Sequence, residues 1–206
     1  MTTSARPSPT AENQHAVRFY ESDRSLAVIV ADFLHEGFGA RQPAIVFASA
    51  AQRAAILREL GIRLLDVVEL QRSGDLVLLD AVETLSTFMV DGKPDEEKFR
   101  ARMCQVIDKT CEGRPNCVVR IYGQMVDVLW QNDEHDAAIR LEMLWNQLAQ
   151  TKPYSLLCGY AMGNFYKDAQ FDEVCGQHTH VDSDARGGDR LGNRLIPRLA
   201  ERLRLG

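Results

Sequence analysis

The sequence lacks long apolar runs. No stretch approaches the roughly 18–20 consecutive apolar residues that cross a bilayer, and the first 14 residues are polar, without the apolar core of a secretory signal. These absences argue against a membrane span and against export. We therefore expect a cytoplasmic protein.

The sequence also lacks the loops that hold phosphates. The Walker A pattern GxxxxGK[ST] and the GxSxG elbow are both absent. Gly37 and Gly39 begin like a dinucleotide motif, but Gln42 stands where the third glycine belongs, and the segment follows a predicted helix rather than a strand. A residual nucleotide-binding or hydrolytic protein is thus the least favoured function. With no nucleophile and base paired in the sequence, we expect no enzyme and no cofactor.

Cysteine pairs with CxxC spacing are absent too. The five cysteines are Cys104, Cys111, Cys117, Cys158 and Cys175. An odd number of cysteines in a chain without an export signal predicts reduced thiols. Cys158 lies in an apolar run, which favours a core thiol over a nucleophile.

The chain has fewer basic than acidic residues. The chain has 24 Lys and Arg against 29 Asp and Glu, a net charge of −5 and a pI near 5.6. This balance argues against a general nucleic-acid binder. The hydrophobic fraction of 45% is enough for one good core in a chain of 206 residues.

Composition divides the chain into three parts. Residues 1–14 are rich in Ser, Thr and Pro and are predicted to be disordered. Residues 15–181 form the predicted domain, and residues 182–206 a linker followed by a basic amphipathic helix. Such a helix can dock on its own domain, contact a dimer mate, or bind a membrane surface or acidic partner. The first two are favoured because its apolar stripe is short.

Strand patterns alternate with helix patterns along the domain. The alternation predicts an α/β fold, with a mostly parallel central sheet flanked by helices on both faces. The predicted strands are 15–20, 44–48, 67–70, 75–80, 117–121 and 154–160. The predicted helices are 24–36, 50–60, 81–90, 95–111 (with Pro94 at its start), 136–150 and 171–178.

One stretch, residues 117–130, is the most informative about function. Its apolar run is interrupted by Arg120 and ends near Tyr122. A charge inside a buried strand is costly unless it is paired or lies at the end of the strand. Ligands of open α/β sheets bind beyond the carboxyl ends of the strands. Arg120 is therefore either a ligand anchor at that edge or, with equal weight, a structural arginine paired with a core carboxylate, for which Glu142 is the best candidate.

Aromatic and polar residues near strand ends suggest a small-molecule pocket. In this hypothesis Arg120 anchors a polar or anionic group, hydrogen-bonding residues surround it, and others supply apolar contact. Ordinary core packing is the alternative for most of them. The candidate ligand-binding residues are His15, Arg18, Tyr20, Arg120, Tyr122, Met125, Trp130, Glu142 and Tyr160.

A compact group near the end of the domain resembles a metal site. Cys175, His178 and His180 lie close in sequence. Zinc sites use four ligands, and this group supplies three at most. We expect solvated side chains there and no metal.

Several motifs in this order resemble one family. They are His15-x-x-x-Phe-Tyr20, the segment GFGARQPAIVFAS, Arg120-x-Tyr-Gly-Gln-Met125, then Trp130, Leu141-Glu142, Leu156-Leu-Cys-Gly-Tyr160 and a late His178. Together they are similar to the MEDS domain, the methanogen/methylotroph sensory domain, over roughly residues 15–181.

The resemblance implies a RecA/KaiC-like fold without its P-loop and a role in sensing small organic compounds. Members of the family commonly carry a histidine kinase or a helix-turn-helix module, for which the ends of this chain are too short. The resemblance therefore implies a non-enzymatic sensor that signals to a partner histidine kinase or transcription regulator, without binding nucleic acid itself. The alternative is a ligand-free interaction module, for example a homodimer.

Overall fold

The computed structural model describes residues 15–161 and 171–183. The predicted disordered segment 1–14 and the predicted basic helix within 182–206 lie outside the described residues, apart from residues 182–183 at the end of the last strand. Within the described part, no helix is both long and apolar enough to span a membrane.

Six parallel strands form one sheet, and two short strands form a hairpin. The main-sheet strands are β1 (His15–Tyr20), β2 (Ala44–Ala48), β3 (Leu76–Asp80), β6 (Val119–Gly123), β7 (Tyr154–Ala161) and β8 (His180–Ser183). The hairpin consists of β4 (Met89–Val90) and β5 (Lys93–Pro94). The order in the main sheet is β3-β2-β6-β7-β1-β8. This confirms the predicted parallel α/β fold.

Eight helices connect the strands in the part of the chain that the structure describes. They are α1 (Asp23–Gly39), α2 (Ala50–Ile62), α3 (Val67–Arg72), α4 (Ala81–Ser86), α5 (Glu96–Thr110), α6 (Met125–Gln131), α7 (His135–Leu148) and α8 (Phe171–Gly176). Side chains of α1–α3 pack on one face of the sheet, and those of α4–α8 on the other. The helices therefore cover both faces, as the sequence predicts.

Side-chain caps begin five of these helices where strands or turns end, with Asp66 as the cap of α3. Ser22 and Ser49 accept hydrogen bonds from the backbone at the starts of α1 and α2. Asp80 and Asp95 do the same for α4 and α5. Such caps satisfy backbone N–H groups that have no partner within the helix, so the strand ends and helix starts are fixed together.

Two predicted elements are wrong. Residues 67–70 form α3 rather than a strand, because Asp66 caps the segment and Val67 and Leu70, three residues apart, pack on the same core. The helix predicted over 81–90 ends at Ser86, and a turn through Asp91 and Gly92 (φ +48° and +74°) makes the hairpin that contains Pro94.

The prediction that all cysteines are reduced is also wrong. Cys111 and Cys117 form a disulfide, with their Cα atoms 5.6 Å apart. Positive φ angles at Gly113 and Asn116 bend the loop between them back on itself, which brings the two Cα atoms within the usual range. Cysteines that are six residues apart do not match the CxxC pattern, so the sequence did not predict this pair. Cys104, Cys158 and Cys175 are free thiols.

Removing this disulfide is expected to cost about 2 kcal/mol of unfolding free energy, because the bridge closes only a short loop in the unfolded chain. Urea denaturation of the Cys111→Ser, Cys117→Ser double variant measures the loss. Dithiothreitol should destabilise the wild type and the Cys104→Ser control equally and leave the double variant unchanged. Equal stability of the wild type and the double variant without reductant would contradict the prediction.

Candidate functional site

Arg120 does not lie at the carboxyl edge of the sheet. It pairs in register with Ala44 and Ser155, near the amino ends of β2 and β7. The expected position of Arg120 is therefore wrong, and the register of β6 is the reason. Tyr122, two residues later, lies towards the carboxyl end.

The side chain of Arg120 packs against the C-terminal part of α1. Its Nε donates to Gln42 Oε1 at 2.8 Å, and its guanidinium lies 4.8 Å from the ring centroid of Phe33. Glu36 Oε2 lies 3.8 Å from Nη1, so the expected pairing with Glu142 is also wrong. A Cβ on Gly37 would lie 2.4 Å from Arg120 Cγ, which shows how closely the arginine packs. Its role here is to fasten α1 to the sheet.

The strand order places a topological switch point between β1 and β7. The chain leaves β1 into α1 on one face of the sheet and leaves β7 towards α8 on the other. These strands are hydrogen-bonded neighbours. Ligands of open parallel sheets bind where such connections diverge, beyond the carboxyl ends.

A buried carboxylate, Asp127 of α6, lies at the carboxyl ends of these two strands. It accepts hydrogen bonds from the Tyr20 hydroxyl at 2.8 Å, the Gln131 amide at 2.7 Å and the Ala161 backbone N–H at 3.1 Å. Asp127 thus ties the ends of β1 and β7 to α6. Burial raises the pKa of Asp127 despite these three donors.

Tyr122 completes what we call the Asp127 cluster (Tyr20, Tyr122, Asp127, Gln131 and the backbone of Ala161). Its side chain is fully buried, and its hydroxyl makes no hydrogen bond with the described residues. Burial, then the nearby Tyr20 and Asp127, raise the pKa of Tyr122, so the hydroxyl stays protonated and available as a donor. A buried donor without a partner is costly and calls for a ligand or a functional reason.

A second buried group lies under α7, on the opposite face from Tyr122. The Glu142 cluster consists of His15 at the start of β1, Glu142 on α7, Cys158 and Tyr160 on β7, and His178 after α8. All five side chains are buried. Their positions bring four separate chain segments to one point.

The distances within this cluster are short. His15 Nε2 lies 3.0 Å from Glu142 Oε2 and 3.3 Å from Cys158 Sγ. His178 Nε2 lies 3.3 Å from Glu142 Oε1, without the alignment of a hydrogen bond. The Tyr160 hydroxyl donates to the same oxygen at 2.8 Å.

Electrostatics in this cluster favour an ionised carboxylate. Burial pushes the pKa of Glu142 up, but the attraction of His178 and His15 outweighs it and holds the pKa well below its usual value. Burial and the neighbouring Glu142 raise the pKa of the Cys158 thiol. The cluster therefore has a carboxylate that needs a positive partner.

The remaining predicted site residues lie in or beside these groups. Met125 is a core residue at the start of α6. Trp130 packs edge-to-face on Tyr160, with ring centroids 5.7 Å apart, and stacks on His135. Arg18 is half-buried in β1, beside Gly159 in register. No ligand tests any of the nine assignments, so they stay predictions.

Of the metal-like group near the end of the domain, Cys175 and His178 have described side chains. His178 is buried against Glu142 rather than solvated as expected. Cys175 belongs to the apolar core, and the His180 side chain lies outside the described atoms. Sequence spacing alone therefore grouped the wrong residues.

Sequence reasoning missed Asp127, Gln131 and Asn146, and it treated Cys158 as a plain core thiol. Asp127 carried a usable signal, since it is a single acid within the apolar stretch MVDVLW, the same pattern that drew attention to Arg120. No sequence signal indicated that His15 and His178 lie against the same carboxylate, because the two residues are far apart in the sequence.

The fold and the two buried clusters define a parallel α/β domain with buried polar groups at and near a switch point of its sheet. The family model for MEDS, the MEthanogen/methylotroph, DcmR Sensory domain, matches residues 14–179. The chain therefore belongs to this family of sensory-type domains. A comparison with curated proteins finds no match.

Proposed function

We propose that this chain is a non-enzymatic cytoplasmic sensor that binds a small organic ligand at the carboxyl ends of β1 and β7. The observation that carries the proposal is the Asp127 cluster, where the buried carboxylate accepts from Tyr20 and, near it, the buried Tyr122 hydroxyl has no hydrogen-bond partner among the described residues. A ligand with one acceptor and one donor group pairs with Tyr122 and Asp127 respectively. Membership of a sensory family supports the same role.

Asp127 connects the proposed ligand site to the rest of the domain. Asp127 holds the ends of β1 and β7 and the helix α6. A ligand that takes over one of its hydrogen bonds shifts α6 or the chain that follows β7. In the proposal, a partner histidine kinase or transcription regulator reads that shift.

A conservative change tests the ligand site. Tyr122→Phe removes only the unpartnered hydroxyl, so stability should stay within about 0.5 kcal/mol of the wild type or rise. Ligand occupancy should fall at least about tenfold if one hydrogen bond worth about 1.4 kcal/mol is lost. Native mass spectrometry, after incubation with a low-molecular-mass extract of the source cells and compared with denatured samples, measures the retained organic molecule.

Tyr154→Phe is the matched control, because the Tyr154 hydroxyl is also buried but donates to the Trp145 carbonyl, away from the Asp127 cluster. This variant should keep the ligand and lose about 1 kcal/mol of stability. Equal retention by the wild type and Tyr122→Phe, or no retained organic molecule in either, counts against the proposed site.

A ligand-free interaction module is the second candidate. Ile62, Leu64 and Val68 are 66%, 93% and 72% exposed at the corner between α2 and α3. Grouped exposed apolar side chains are typical of protein contacts. The same native spectra report this function, since a homodimer that carries no organic molecule would favour it.

A further inference from the structure

The Glu142 cluster is not used by the proposed ligand site, yet it contains the most strongly interacting buried groups of the described chain. Each of four side chains offers one atom that could bind a metal: His15, Glu142, Cys158 and His178. These four atoms lie within 4.8 Å of one another. We propose that these four side chains bind one divalent transition-metal ion of the zinc class.

The orientation of the two imidazoles is the first support. The Val174 carbonyl lies 2.7 Å from His178 Nδ1, and a carbonyl can only accept, so Nδ1 carries the proton. Asn146 Nδ2 donates to the Gln177 carbonyl, which directs Asn146 Oδ1 at His15 Nδ1, 2.8 Å away. Both Nε2 atoms are thereby aimed at the cluster. Metal-binding histidines are held in this way, with the far nitrogen donating to a carbonyl or amide oxygen.

The spacing of the atoms is the second support. Zinc binds nitrogen at about 2.0–2.1 Å, sulfur at about 2.3 Å and carboxylate oxygen at about 2.0–2.2 Å, so neighbouring ligands of a tetrahedral site lie about 3.3–3.7 Å apart. With Glu142 Oε2 as the carboxylate ligand, His15 Nε2 lies 3.0 Å from that oxygen and 3.3 Å from Cys158 Sγ, and Sγ lies 3.5 Å from the oxygen. All four ligand atoms, including His178 Nε2, lie within 4.8 Å of one another. Only small side-chain movements are needed to accept the ion.

Charge balance is the third support. A divalent ion with one thiolate, one carboxylate and two neutral imidazoles has a net charge of zero, which suits a site closed to water. Two protonated histidines around Glu142 would instead leave one buried positive charge in excess. An ion pair with a single histidine would leave the other imidazole facing the cluster without a partner, as His178 Nε2 does. Two imidazoles and a thiolate also favour zinc over magnesium or calcium.

The test uses the full chain without an affinity tag, freed of metal by a chelator and kept under argon. Calorimetry with zinc chloride should show one ion per chain, with protons released as the thiol ionises. Cobalt(II) should give the near-ultraviolet charge-transfer absorption of a cobalt–thiolate bond. A folded wild-type chain that binds no zinc, or whose cobalt complex lacks this absorption, overturns the proposal.

Variants locate the site. His178→Ala and Cys158→Ser should weaken zinc binding at least about 100-fold, and Asn146→Ala by about 10–100-fold, since it only orients His15. His35→Ala and Cys104→Ser change an exposed histidine and a free cysteine elsewhere, so both should bind zinc like the wild type. Wild-type affinity in a folded His178→Ala overturns the assignment, and so does loss of binding in His35→Ala and Cys104→Ser alone.

Discussion

Replacing Glu142 with alanine is expected to cost about 3–5 kcal/mol of unfolding free energy in the metal-free protein, the usual result of removing one partner of a buried ion pair. Glu142 is fully buried between His15 and His178 and also accepts the Tyr160 hydroxyl. Without it, the polar groups around it lose their acceptor together. Urea denaturation in the presence of a chelator measures the loss.

The deficit of Glu142→Ala should shrink in acid. The pKa of Glu142 is lower in the folded chain than in the unfolded chain, so its contribution is present above the unfolded pKa of about 4.3 and is lost as the pH falls towards the folded pKa. The control is Glu97→Ala, an exposed glutamate on α5, which should stay within about 0.5 kcal/mol of the wild type. An equal deficit at pH 7 and pH 3 would contradict an ionised Glu142.

Most of the fold was predictable because it depends on local patterns. β1 and β2 are confirmed residue for residue, since each is a short run that is followed closely by a helix-capping serine, Ser22 or Ser49. The strand predicted over residues 67–70 was wrong because a run of four apolar and acidic residues fits a strand or a helical turn equally well. The strand order could not be read from the sequence, because each position in the sheet is decided by packing between distant segments.

The candidate site was predictable only in part. Tyr20 and Tyr122 do lie near one another beside Asp127 at the carboxyl edge. Arg120 was misplaced because one charge in a short apolar strand has the same pattern at either end, and only the register with its neighbours separates the two. The ligand-binding role predicted for Glu142 stays a prediction, and its observed partners are not Arg120 but the imidazoles of His15 and His178, which lie far away in the sequence.

The two clusters share β7 and are close enough to interact. Cys158 and Tyr160 belong to the Glu142 cluster, and the next residue, Ala161, donates to Asp127. Trp130 of α6 packs on Tyr160. The backbone of β7 and the packing of Trp130 on Tyr160 therefore connect the two clusters physically.

Replacing Trp145 with alanine is expected to cost about 3–5 kcal/mol, because it empties a large volume in the core. The ring is 1% exposed and meets Phe99 and Tyr154 edge-to-face, at centroid distances of 5.0 and 5.7 Å. Met143, on the same helix but 40% exposed, is the control, and Met143→Ala should stay within about 0.5 kcal/mol. Urea denaturation measures both.

Since Trp145 lies three residues after Glu142 on α7, the loss of the Trp145 ring should also loosen the Glu142 cluster and weaken the proposed zinc binding. A Trp145→Ala variant as stable as Met143→Ala would show that α7 is held in place by other contacts.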